Sequence, residues 1–131
     1  MIWGLGQDLC RIERMRSSLE REHFFRRVFG PEEQAYLEGL SETRRGESAA
    51  ASFAAKEAFL KAAGRGLGSF DLAQIQCLRR ESGAPRLVLS GKAAEYMEQN
   101  HLRALVSLSH EGGLAAAVVI LEGKDFPSED D

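Results

Sequence analysis

The sequence predicts an α+β domain in which a mostly antiparallel sheet packs against one long helix. Three observations lead there: an apolar run at the N-terminus, a long alanine-rich segment from Thr43 to Ala63, and two pairs of apolar runs joined by turn residues after Gly68. The order is a strand, then helices, then strands with one further helix, which is the order of segregated layers rather than of alternating βαβ units. The 131 residues are enough for one core and not for two. No internal repeat, low-complexity tract or linker divides them. One domain over residues 1–122 is the simplest reading, with an acidic tail lacking regular structure over 123–131.

Ile2 to Leu9 reads as a buried strand whose Gly4 and Gly6 let another backbone come close. Arg11 to Leu19 and Glu22 to Val28 read as short helices. Ile12, Met15 and Leu19 fall at i, i+3 and i+7, on one helical face. Gly30-Pro31-Glu32-Glu33 is a helix start, with proline in the first turn and acids at the positive end of the dipole, and that helix should run to about Glu38. The segment from Thr43 to Ala63 is built from alanine, glutamate, lysine and arginine, all good helix formers. Its small residues allow close packing on a sheet, Gly46 is a mild defect near its start, and Gly64 is a natural stop. Leu72 to Arg79 and Arg86 to Leu89 alternate roughly in period two around Ser82-Gly83-Ala84-Pro85, a hairpin signal. Lys92 to Gln99 is a short helix. Ala104 to Ser109 and Leu114 to Leu121 form a second hairpin, rich in Val, Ile and Leu, expected at the sheet centre.

Composition narrows the function classes. Apolar residues at 44% and charged residues at 28% are the mix of a globular protein in water. No run of about 18 apolar residues offers a membrane span, and the first residues lack the basic and apolar regions of a signal peptide. Cys10 and Cys77 fit no metal spacing and read as reduced thiols of a cytoplasmic protein. Between Arg11 and Arg27 stand six arginines (Arg11, Arg14, Arg16, Arg21, Arg26, Arg27) against three glutamates, although the whole chain carries −3. A basic segment in a mildly acidic chain suits an acidic protein partner or a phosphate-rich ligand. The negative net charge of the whole chain does not suit nucleic acid.

Chemistry is expected from polar groups that packing does not ask for. Asp8 follows the first strand, and it could simply cap the next helix. Glu57 and Lys61 stand at i and i+4 on the long helix, a spacing also common on solvated faces. His110, expected at the tip of the last hairpin near Gly112 and Gly113, could simply hydrogen-bond the backbone. Against the bland reading, Glu57 is surrounded by Phe53, Ala54, Ala55, Ala58 and Phe59, so its carboxylate should lie partly buried and need a partner. Two carboxylates from separate elements could hold Mg²⁺ while leaving positions for substrate phosphates. Lys61 could reach the same phosphates, and the glycines from Gly64 to Gly68 let backbone amides approach a ligand.

These residues also carry a family resemblance. Gly4-Leu5-Gly6-Gln7-Asp8-Leu9 resembles the opening of holo-[acyl-carrier-protein] synthases, the short single-domain group of the 4′-phosphopantetheinyl transferase superfamily. Phe53-Ala54-Ala55-Lys56-Glu57-Ala58-Phe59-Leu60-Lys61-Ala62 resembles their signature, Gly64-Arg65-Gly66 their glycine turn, and Ser107-Leu108-Ser109-His110 their last hairpin. The motifs keep order and spacing over roughly residues 2 to 122. The resemblance implies the 4′-phosphopantetheinyl transferase fold and transfer of 4′-phosphopantetheine from coenzyme A to a serine of apo acyl carrier protein. It implies Asp8 and Glu57 as Mg²⁺ ligands, Glu57 as acceptor of the serine proton, and Lys61 on phosphate. It further implies Arg44, His110 and the Gly64 and Gly66 amides near the nucleotide's phosphates, Arg14 and Arg21 against the carrier protein, and a homotrimer with sites between subunits. Ser52 and Ala84 depart from the pattern, where many relatives carry arginine and lysine, which puts nucleotide contacts in question rather than the metal site. Two other readings stand beside this one: a non-catalytic module that binds carrier protein or coenzyme A, and a transferase serving larger synthases, whose chains usually hold two copies of the fold.

Overall fold

The computed structural model describes residues 1–66 and 68–124. Of the tail expected over 123–131, Gly123 still belongs to the last strand and Lys124 donates its N–H to the His101 carbonyl at 2.9 Å; residues 125–131, like Leu67, lie outside the described residues. The elements are β1 (Ile2–Arg11), α1 (Ile12–Leu19), α2 (Glu22–Val28), α3 (Pro31–Glu38), α4 (Glu42–Ala62), β2 (Ile75–Arg79), β3 (Pro85–Leu89), α5 (Gly91–Gln99), β4 (Leu102–Glu111) and β5 (Leu114–Gly123). The α+β reading holds, with two antiparallel sheets among the described residues: β1-β5-β4 and the hairpin β2-β3.

Helix α4 organises the domain. Ser41 starts it by accepting the Arg44 N–H at 3.4 Å. A left-handed Gly64 (φ 69°) ends it, with Gly64 N–H on the Lys61 carbonyl and Arg65 N–H on the Leu60 carbonyl. Between these ends its alanines lie fully buried on β1 and β5. The approach to β1 is closer than any side chain allows. A Cβ on Gly4 would stand 1.9 Å from the Ala62 carbonyl oxygen, and one on Gly6 1.8 Å from that of Ala58. The two glycines therefore fix where β1 crosses α4, and so where Asp8 comes to lie.

Three expectations need correction. First, β1 is not buried on both faces. Gly6 and Cys10 face the helix, but Trp3, Leu5 and Leu9 are more than half exposed because none of the described residues covers the outer face of the sheet. Second, the period-two strand expected from Leu72 begins only at Ile75. Leu72–Gln74 is a 3₁₀ turn capped by the Asp71 carboxylate, and the following strand is almost wholly buried rather than alternating. Third, only β5 is central in its sheet; β4 is an edge strand, because β1 takes the other side of β5.

Gly46 is also no defect. A Cβ there would lie 2.6 Å from Cγ of Arg16, so the missing side chain makes room for Arg16 to cross α4 and bond the Thr43 carbonyl at 3.3 Å.

Candidate active site

On the β1 side of α4, Asp8 meets Glu57 and Lys61. Asp8 lies within the strand, paired with Ala117, and does not cap α1, whose N-cap is Arg11. Lys61 Nζ donates to Asp8 Oδ1 at 3.0 Å and to the Gln7 carbonyl at 3.0 Å. Its side chain is 56% exposed and that of Asp8 15%, so the pair sits at the surface and opens easily. Glu57 is half-buried, and its carboxyl titrates higher than usual. Burial is the main cause, Asp8's negative charge adds to it, and Lys61 opposes it. Two carboxylates thus face one exposed ammonium, a local excess of negative charge that a cation would relieve.

Beside them opens a cavity of about 630 Å³, lined by Glu57, Phe53, Cys10, Arg11, Arg14 and Phe24 among others. Arg14 and Glu57 therefore line one cavity. The Cys10 thiol, also in the wall, is pushed up to about 11, chiefly by burial and further by Asp8 and Glu57, so it is no nucleophile at neutral pH. Arg21 lies at the N-cap of α2, its guanidinium 5.5 Å from the Phe24 ring.

Arg44 and His110 are brought together, but elsewhere. They line a second cavity of about 280 Å³ with Ser48 and Ala51 of α4 and Leu108 and Ser109 of β4. His110 is part of β4, paired with Ala115, and the hairpin tip is Gly112 and Gly113, both at positive φ. Since β5 separates β1 from β4, the two cavities flank opposite sides of α4 in one chain. Gly64 and Gly66 are exposed beyond the C-terminal end of α4, one turn past Lys61, and a Cβ on either would point into open space. Ser52 is buried in α4 and Ala84 is exposed in the β2-β3 turn.

One functional feature escaped sequence reasoning. Lys56, next to Glu57, is wholly buried and uses all three ammonium donors: on Glu33 Oε1 at 2.5 Å, the Leu72 carbonyl at 2.9 Å and the Ile75 carbonyl at 2.7 Å. Glu33, 1% exposed, also accepts the N–H groups of Gly30 (3.0 Å) and Cys77 (2.8 Å). This pair ties α4 to α3 and β2 and fixes the rotation of the helix that presents Glu57. Glu33 had read only as a dipole-friendly acid. The available signal was the position of Lys56 at i+4 from Ser52 and i−3 from Phe59, on the buried stripe of α4.

A family model described as the 4′-phosphopantetheinyl transferase superfamily matches residues 4–119. A holo-[acyl-carrier-protein] synthase of Syntrophotalea carbinolica is 42% identical over 124 residues, spanning 92% of this chain and 95% of that one. One from Myxococcus xanthus is 40% identical, spanning 94% and 97%. The crystal structure of a holo-(acyl-carrier-protein) synthase from Bacillus anthracis in complex with CoA (3′,5′-ADP) superposes with a TM-score of 0.81 at 31% identity, covering 95% of this chain and 99% of that one.

Proposed function

The chain belongs to the 4′-phosphopantetheinyl transferase superfamily, in its holo-[acyl-carrier-protein] synthase group, and on that premise we propose how its own residues carry the reaction. It is a transferase that moves 4′-phosphopantetheine from coenzyme A to a serine of apo acyl carrier protein and releases adenosine 3′,5′-bisphosphate. The observation that carries the reading of the site is the meeting of Asp8, Glu57 and Lys61 where β1 crosses α4.

Asp8 and Glu57 would hold Mg²⁺. Hard carboxylate oxygens are the right donors, and among the described residues no third metal-binding side chain joins them, which suits an ion that keeps positions for water and substrate phosphate. When bound, Mg²⁺ offsets the charge of the pyrophosphate and polarises it for attack. Glu57, already proton-seeking through burial and its acidic neighbour, takes the proton of the carrier-protein serine. The serine oxygen forms its bond to the β-phosphorus, the bond from that phosphorus to the bridging oxygen breaks, and adenosine 3′,5′-bisphosphate leaves with the electron pair. Lys61, held to Asp8 only by an exposed pair, would turn to the phosphates, where it stabilises the charge that develops. Gly64 and Gly66 give their amides to the same end of the ligand. Arg14 and Arg21 dock the acidic carrier protein beside the Glu57 cavity.

A homotrimer completes this reading. Leu5, Leu9, Leu105 and Leu114 are 41–64% exposed on the outer sheet face or its hairpin end, apolar area of the kind that interfaces cover. Contact between copies would set the Arg44–His110 cavity of one chain beside the Asp8–Glu57 site of another, which a single chain keeps apart. The free thiols fit a cytoplasmic location, and no helix among the described residues is long and apolar enough to cross a membrane.

The test is the intact mass of purified apo acyl carrier protein after incubation with this chain, coenzyme A and Mg²⁺. A gain of one phosphopantetheine, abolished by EDTA, is expected. A gain that persists in EDTA would remove the metal role. No gain from a folded sample would return the chain to the class of binding modules.

A further inference from the structure

The chain that leaves α4 is gripped by a residue the reading above does not use. Tyr96 of α5 reaches it with both its hydroxyl and its ring. The hydroxyl donates to the carbonyl of Ala63, the C-cap of α4, at 3.4 Å. The ring lies 5.2 Å from the Arg65 guanidinium and 5.7 Å from the Phe70 ring. Arg65 also stands 5.8 Å from Phe70, so one cation rests on two aromatic rings. Phe70 is buried and packs on Phe59 of α4 at 6.1 Å, which ties this platform to the core. Among the described residues no carboxylate comes within 4.0 Å of Arg65.

The tyrosine is itself held. A bulge in β1 between Ile2 and Gly4 leaves Trp3 outside the pairing register with β5. From there the indole N–H of Trp3 donates to the Tyr96 hydroxyl oxygen at 2.8 Å. A hydroxyl that accepts from Trp3 keeps its own proton for Ala63. The contact to Ala63 is long for a hydrogen bond, so the ring carries more of the grip than the hydroxyl.

The glycines explain why a grip is needed. Gly64 is at φ 69°, and a Cβ on Gly64 or Gly66 would meet nothing within 4 Å. Such residues lose the most conformational freedom on ordering and have no side chain to hold them. The position of Gly64 and Gly66 therefore comes from Ala63 and Arg65, and both rest on Tyr96.

We propose that Tyr96 is a positioning residue for coenzyme A: it holds the segment from Ala63 to Gly66 ready for the ligand's phosphates, with Trp3 orienting its hydroxyl. The proposal rests on the transferase reading above, which brings the Gly64 and Gly66 amides to the ligand. Tyr96 acts through that segment and not on the ligand. A segment ordered before binding spares the ligand the cost of ordering it, so the effect falls on coenzyme A affinity and not on carrier-protein docking.

The experiment measures kcat and the KM for each substrate in the wild type, Tyr96→Leu, Tyr96→Phe and Trp3→Phe. Calorimetric titration with coenzyme A, without carrier protein, gives a readout free of turnover. Tyr96→Leu should raise the KM and the Kd for coenzyme A by about tenfold, the combined worth of the ring contacts and the hydroxyl, and leave the KM for carrier protein unchanged. Tyr96→Phe keeps the ring and should recover most of this, with about a threefold loss remaining, and it carries the test if the leucine variant does not fold. Trp3→Phe should match Tyr96→Phe, and the double variant should lose no more than either alone, because the indole acts through the hydroxyl. A merely structural Tyr96 would lower the melting temperature and the active fraction and leave the Kd for coenzyme A where it was. That result would overturn the proposal, as would equal rises in the two KM values. A wild type that binds coenzyme A and transfers nothing would instead sink the transferase reading, and calorimetry would still decide the role of Tyr96.

Discussion

Helix α4 carries two lysine–carboxylate pairs five residues apart, and they do opposite things. Lys56 and Glu33 are sealed in the core at 0% and 1% exposure, with every ammonium proton and both carboxylate oxygens engaged. Lys61 and Asp8 meet at the surface with the lysine 56% exposed. The same two functional groups, at similar distances, thus serve as a fixed anchor in one place and as an exchangeable contact in the other. The difference is solvent. A buried pair cannot open without leaving a charge stranded, so it holds geometry. A wet pair costs little to break, so its members remain available to metal and phosphate. Glu57, adjacent to the anchor and one turn before the exchangeable lysine, draws on both.

The largest expected effect lies on the wet side. Asp8→Ala and Glu57→Ala should each reduce turnover by about three orders of magnitude, the several kcal/mol of charge stabilisation a catalytic metal supplies. The circular dichroism melt should stay close to wild type, since neither residue is part of the core. Near-normal turnover in either variant would remove the proposed metal site.

The buried side should respond in the opposite order. Lys56→Met leaves Glu33 charged and unpaired inside the protein, at a cost of about 3–5 kcal/mol, read in a guanidinium unfolding curve. Adding Glu33→Gln should recover part of that stability, because the stranded charge is gone. Loss of stability under 1 kcal/mol in Lys56→Met would mean that Glu33 takes up a proton or finds water, and the anchor role would fall.

The sequence made the exposed chemistry easier to read than the buried. Asp8, Glu57 and Lys61 could be singled out because a polar side chain after an apolar strand or among alanines and phenylalanines is locally out of place. The fold class was legible for a similar reason, in helix formers bounded by Ser41 and Gly64 and in hairpins marked by Gly83 and by Gly112 and Gly113. Lys56 was hidden because lysine is nearly always solvated, and only its partner 23 positions earlier in the chain makes burial tolerable. Gly46 read as a flaw because the side chain that needs its space, Arg16, comes from another helix. The bare outer face of β1 could not be told from a buried strand, since glycines interrupt its alternation.

The smallest stability effect, and the sharpest use of the comparison, belongs to Lys61→Met. Its ion pair with Asp8 is mostly solvent-screened, so the unfolding free energy should change by no more than about 1 kcal/mol. Turnover should nevertheless fall by about ten- to a hundredfold, because the ammonium meets charge that develops on phosphate only during transfer. The loss should appear in kcat more than in the KM for carrier protein, which docks on the arginines of α1 and α2. A variant with unchanged turnover would make Lys61 a mere partner of Asp8. One destabilised as strongly as Lys56→Met would show that the exposed pair is an anchor too, and the contrast between the two lysines of α4 would disappear.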